Sequence, residues 1–192
     1  MSELPLIAVT DSATCPRPLA EQIERLAKLT ELRPQAVILR AKALDKAAYR
    51  TLALQAQQSC EAAGIPLILH SDWQLARELG ISMLHLPLAF LRQISEYERA
   101  YFTWLSTSVH SVGEAQEAQA LGATVLIAGH IYTTQCKAGL APRGLGFLQS
   151  VCSAVSLPVY AIGGIGFDAA QHAELKANGV RGACVMSAYM RL

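Results

Sequence analysis

The 192-residue sequence carries no Cys-x-x-Cys spacing among its five cysteines, Cys15, Cys60, Cys136, Cys152 and Cys184. An odd number without that spacing argues against a disulfide framework and a zinc knuckle, and fits a reducing cytosol. Nor is there a surplus of one charge. Sixteen basic residues stand against 15 acidic ones, a formal net charge of +1, so neither nucleic acid nor an anionic membrane surface is expected as a partner. No apolar run approaches the roughly 18 residues needed to cross a bilayer, and the N-terminus lacks a basic leader region. The expectation is a soluble, untargeted, cytoplasmic protein. Linkers and low-complexity stretches are missing as well. What is present is apolar: 52% hydrophobic residues, 16% charged and a mean hydropathy of +0.28. That is enough for one substantial core and leaves no room for a second, so residues 1–192 are read as a single domain.

Short apolar runs alternate with helical stretches along the whole chain. The expected strands are Leu6–Thr10, Ala36–Arg40, Pro66–His70, Met83–Leu86, Tyr101–Ser106, Thr124–Gly129, Pro158–Ile162 and Gly182–Met186. Between them, Asp45–Ala63 carries apolar residues at helical spacing and stops at Gly64-Ile65-Pro66. Glu114–Leu121 stops at Gly122, and Asp168–Ala177 at Asn178-Gly179. Eight strand-helix units in this order imply an α/β fold of the (β/α)₈ TIM-barrel type, compact and with brief loops. Only five residues follow Ser187, so the last helix should be truncated or absent. A homodimer is one arrangement that would cover the barrel bottom.

Polar residues collect where the apolar runs end, the side on which a parallel barrel presents its loops to ligand. His130 follows the sixth strand, and an imidazole with an ordinary pKa near 6.5 can take a proton and return it at neutral pH. The plain alternative is a polar residue satisfied at a strand end. Gly163-Gly164 and Met186-Ser187 end strands seven and eight, where such barrels often hold phosphate on backbone N–H groups. A tight turn would equally call for the glycines. Arg40 and Lys42 alternate, so both should face the barrel mouth and an anion there, or form a solvated rim. Ser106-Thr107-Ser108 offers hydroxyls to a polar ligand through Thr107 and Ser108, with an ordinary turn as the alternative. Lys137 either closes over a phosphate or stays in water. His70, His85 and His110 lie near strand ends without a compact ligand spacing, so no metal site and no cofactor are expected.

Leu39-Arg40-Ala41-Lys42, His85-Leu86, Ser106 to Ser111, Gly129 to Lys137, Ala161 to Ile165 and Val185-Met186-Ser187 occur in this order, each at a strand end. Together they resemble the thiamine phosphate synthase/TenI superfamily over essentially the whole chain. The synthase branch joins a pyrimidine pyrophosphate to a thiazole phosphate, and its pattern supplies a Gln-x-Arg-x-Lys clamp and two magnesium-binding aspartates. Here Ile38 replaces the clamp glutamine. The Asn-Asp after strand three reads His70-Ser71, and the Gly-Gln-x-Asp after strand four reads Pro87-Leu88-Ala89-Phe90. Neither Ser71 nor Phe90 offers the carboxylate oxygen that a hard cation wants. Asp72 lies one residue out of register.

Gly129-His130-Ile131-Tyr132-Thr133-Thr134-Gln135-Cys136-Lys137 is more similar to the TenI branch, which includes thiazole tautomerases. The resemblance therefore implies an isomerase that aromatises a carboxythiazole phosphate in thiamine biosynthesis. His130 would be its acid and base. Gly163, Gly164, Met186 and Ser187 would hold the phosphate, and Arg40, Lys42, Thr107, Ser108 and Lys137 would contact the phosphorylated thiazole. Two other readings stay open: a thiazole-phosphate-binding or regulatory protein without catalysis, and a thiamine phosphate synthase.

Overall fold

The computed structural model describes residues 4–137 and 139–192, with the side chain of Cys136 outside the described residues. Eight parallel strands close into a barrel in chain order. They are β1 (Leu6–Val9), β2 (Ala36–Leu39), β3 (Leu67–His70), β4 (Met83–Pro87), β5 (Trp104–Val109), β6 (Val125–Gly129), β7 (Val159–Ile162) and β8 (Gly182–Val185). The helices among the described residues are α1 (Leu19–Ala27), α2 (Lys46–Ala63), α3 (Trp73–Glu78), α4 (Leu88–Leu91), α5 (Glu96–Arg99), α6 (Val112–Ala120), α7 (Gly144–Ala154), α8 (Ala169–Ala177) and α9 (Ser187–Arg191). The barrel expectation holds, and α9 is the short last helix that the sequence implies. Among the described residues no helix is long and apolar enough to cross a membrane.

Local chemistry sets the helix starts. Asp45, Ser111 and Asp168 each accept a backbone N–H three residues on, at 2.8, 3.1 and 2.7 Å, which satisfies one of the otherwise unpaired amides of a first turn. Strand alternation then sorts side chains into two cores. One set, with Leu39, Leu69, Leu84, Leu105, Leu126 and Ala161, packs outward under the helices. The other fills the lumen with Ile7, Val9, Ile38, Ile68, Ile127, Tyr160 and Cys184. This layer makes the barrel interior a packed floor, on which the polar mouth rests. A groove of about 980 Å³ lies between α8 and the chain leading into β2, lined by Leu4, Leu6, Leu32, Phe167 and Ala173 among others.

Seven strands differ from their expected bounds by one residue at one end, and one is displaced further. The fifth was expected over Tyr101–Ser106 and lies at Trp104–Val109. Ser95 and Glu98 form a reciprocal capping box that starts α5, and Tyr101 N–H still bonds Glu98 C=O at 3.3 Å. The aromatic Tyr101-Phe102 pair, strand-like in composition, therefore belongs to the turn below the strand.

Candidate active site

Two walls face each other at the C-terminal ends of the strands. The first is made by β6, β7 and β8. His130 follows Gly129 through a cis peptide, and the chain beyond it runs along the end of β7, Ile131 N–H bonding Ile162 C=O at 2.9 Å and Tyr132 N–H bonding Gly163 C=O at 3.0 Å. Only glycine permits this approach. A Cβ on Gly163 would lie 2.3 Å from the His130 Cβ, and one on Gly164 would lie 2.5 Å from the Thr133 carbonyl oxygen; both residues also have positive φ, 104° and 70°. The two glycines thus have a structural reason to be there, independent of any ligand. His130 is 6% exposed, and among the described residues neither of its ring nitrogens finds a hydrogen-bond partner. Buried polar atoms are nearly always paired, so His130 is the imidazole of this wall whose hydrogen-bonding capacity is unused. His110 turns its Nδ1 to the Gly129 carbonyl at 2.7 Å, and Arg143 donates to the same oxygen at 3.2 Å. Met186 precedes α9 and Ser187 begins it.

The second wall comes from β2 to β5 and is made of side chains. The β3–β4 register sets His70 opposite His85, and their rings tilt together with centroids 5.2 Å apart. His85 is 5% exposed and lies between two hydroxyls, Ser106 Oγ at 3.0 Å from Nδ1 and Ser108 Oγ at 3.0 Å from Nε2. His70 Nδ1 meets Ser71 Oγ at 2.6 Å. Burial holds both imidazoles below their ordinary pKa, His70 down to about 4, with the nearby Arg40 and Lys42 charges adding to the effect, and His85 well down, with His70 adding. Both rings are therefore neutral near pH 7. Tyr49 ties this wall to α2, donating to the Leu39 carbonyl at 2.8 Å and accepting from His70 N–H at 3.1 Å.

Arg40 forms an ion pair with Asp11, while Thr10 Oγ1 both accepts from its N–H and donates to its C=O at 2.8 Å. Lys42 is exposed. These two, Ser108, His70 and His85 come together on one wall, with His130, Gly163, Gly164, Met186 and Ser187 on the other. Thr107 does not join them. It lies on the outward face between Leu105 and Val109, fully buried, and gives its hydroxyl to the Leu86 carbonyl at 2.7 Å; the expectation that it contacts substrate is corrected on that ground. Lys137 closes a short 3₁₀ turn, Gln135–Lys137, and its side chain is exposed. The sequence groups His70, His85 and His110 near strand ends, and the β3–β4 register singles out His70 and His85 as the pair that meets.

The divalent cation implied by the resemblance finds poor donors here. Ser71 is occupied by His70, and Phe90 is an apolar side chain 38% exposed. Asp72 caps α3 by accepting Leu75 N–H at 2.9 Å, and Asp11 is held by Arg40. Among the described residues no group of three or more His, Cys, Asp or Glu side chains is placed to hold a metal. A hard, oxygen-seeking ion does not fit this wall.

Residues 6–189 match the family model described as thiamine monophosphate synthase. A thiamine-phosphate synthase of Desulfitobacterium hafniense is 33% identical over 158 residues, covering 79% of this chain and 73% of that protein. One from Herpetosiphon aurantiacus is 39% identical over 157 residues with the same coverage. A solved thiamine phosphate pyrophosphorylase from Pyrococcus furiosus superposes with a TM-score of 0.80 at 24% identity, covering 98% of this chain and 88% of that one, which supports the barrel. The superfamily expectation is met, but the match does not single out the TenI branch. The isomerase reading is overturned: the relatives similar across most of the chain carry the name of a transferase, not of a tautomerase. The form of the His130 loop does not carry the tautomerase reading, because the chain there packs closely against Gly163 and Gly164.

Proposed function

The chain belongs to the thiamine monophosphate synthase family, and from that premise we propose that it is a transferase of thiamine-phosphate synthase type, joining a pyrimidine pyrophosphate to a thiazole phosphate with release of pyrophosphate. The similarity to named synthases over 79% of the chain carries this reading. The site geometry is compatible with it. Such a condensation brings two anionic substrates together, and the mouth has two walls suited to anions.

In this reading Gly163, Gly164, Met186 and Ser187 hold the acceptor phosphate through backbone N–H groups, with the Ser187 hydroxyl adding a donor. Arg40 and Lys42 face the pyrophosphate. His130 gives a hydrogen bond to substrate from its otherwise unpaired ring and fixes the reacting geometry. Ser108 orients His85, and Lys137 approaches the acceptor phosphate from its loop. Pairing of two copies across the groove beside α8 is proposed as well; light scattering should return twice the 20.6 kDa chain mass, and a monomer would contradict it.

The test is direct. Incubation with the pyrimidine pyrophosphate and the thiazole phosphate should yield thiamine phosphate by mass spectrometry, with one pyrophosphate released per product. A second reading, a phosphate-binding homologue that condenses nothing, draws on Ser71 and Phe90 in place of carboxylates. It predicts thiazole phosphate binding without product.

A further inference from the structure

The wall formed by β2 to β5 differs from a metal-binding corner in a way that leaves its charge usable. Arg40 is paired with Asp11, and the Lys42 charge is felt at His70. Asp72 is turned onto the α3 amide. The remaining polar groups, His70 with Ser71 and His85 with Ser106 and Ser108, are a hydroxyl-imidazole net. Carboxylates at positions 71 and 90 would make such a corner repel a diphosphate until a divalent ion arrived. With serine and phenylalanine there, Arg40 and Lys42 stand against Asp11 and Asp72 alone, and an approaching anion meets two carboxylates fewer than in such a metal-binding corner.

We propose that this wall binds the diphosphate arm of the donor, or free diphosphate after its release, directly through Arg40, Lys42 and the His70–Ser71 pair, without a divalent cation. The Arg40 guanidinium, pre-oriented by Asp11, offers its remaining N–H groups to phosphate oxygens. Lys42 supplies the mobile charge from the exposed rim. His70 Nδ1 is engaged by Ser71 at 2.6 Å, which leaves Nε2 as the ring atom available to a ligand. His85, bonded at both nitrogens, holds the His70 ring from behind. The identity of the ligand as a diphosphate rests on the transferase reading; the absence of a metal requirement rests on the side chains.

The experiment titrates inorganic pyrophosphate into the full chain by calorimetry, once in EDTA and once with Mg²⁺, correcting for the magnesium complex in solution. The dissociation constants should agree within about twofold. Lys42→Ala, at an exposed position, should weaken binding about tenfold in both conditions, as expected for loss of a charge-assisted contact. The double substitution Ser71→Asp, Phe90→Asp should abolish binding in EDTA and restore it with Mg²⁺. Binding that needs Mg²⁺ in the unsubstituted chain, or no binding in either condition, would overturn the proposal, as would an unchanged response of a folded double variant.

Condensation is assayed on the same samples. Pyrophosphate binding that needs Mg²⁺, with product formed in its presence, would sink this proposal and leave the transferase. Metal-free pyrophosphate binding without product would do the reverse.

Discussion

The two walls of the barrel mouth are built from different material. The β6–β8 wall is a backbone construction, in which the chain after His130 lies against Gly163 and Gly164 at distances that no Cβ would allow. The β2–β5 wall is a side-chain construction, a net of imidazoles, hydroxyls and one ion pair anchored on strand ends. The difference governs how each can vary. A wall made of backbone contacts tolerates little substitution, whereas a wall made of side chains can exchange its chemistry while the barrel stays closed. It carries serine and phenylalanine at positions 71 and 90, where the family resemblance implies carboxylates.

The comparison breaks most severely at Gly163. Gly163→Ala places a methyl group in the His130 backbone at a positive φ and should destabilise the protein by about 3 kcal/mol or more in urea unfolding. An unchanged midpoint would show that the two chain segments are not locked together. Next is His130→Ala. If the buried ring is a substrate contact, kcat/KM should fall about tenfold to a hundredfold while circular dichroism stays native; unchanged kinetics would remove His130 from the site.

The side-chain wall makes itself felt through pH. His70 and His85 bind protons less readily when folded than their ordinary value of 6.5. Above pH 6.5 both are neutral folded and unfolded, and they do not affect stability. As pH falls from 6.5 toward 4, the unfolded chain takes up protons that the folded one refuses, so stability drops by up to about 1.4 kcal/mol per pH unit for each group. His70→Asn should flatten that slope between pH 6.5 and 4 in urea titrations, and a slope equal to the parent's would place the cause elsewhere. The smallest effect is expected at the loop's outer tie, where Tyr132 donates to Glu174 at 2.7 Å. Tyr132→Phe should lower stability by about 1 kcal/mol or less, read as a small shift in the thermal midpoint.

Much of the barrel was legible because eight strands alternate with helices whose caps and glycine stops punctuate the chain. Asp45 and Asp168 were read as helix starts and prove to be caps. The fifth strand was displaced because Tyr101-Phe102 looks like a strand, while the capping pair Ser95 and Glu98 decides the matter from several residues away. At the site, alternation puts Arg40 on the side of Ile38, a lumen residue, and the same rule carried through Ser106-Thr107-Ser108 sends Thr107 outward. The ion pair with Asp11 and the meeting of His70 with His85 are contacts between strands. Composition is silent on them, and only register reveals them. Function was harder still. A short loop around His130 pointed to one branch of the family, while similarity over most of the chain points to the transferase.

The most direct measurement is a crystal structure of the protein with both products, thiamine phosphate and pyrophosphate. The phosphate of thiamine phosphate should lie within hydrogen-bond reach of the Gly163, Gly164 and Ser187 amides, with pyrophosphate against Arg40 and Lys42. Both anions on the same wall, or pyrophosphate held away from Arg40 and Lys42, would contradict the division of labour between the two walls.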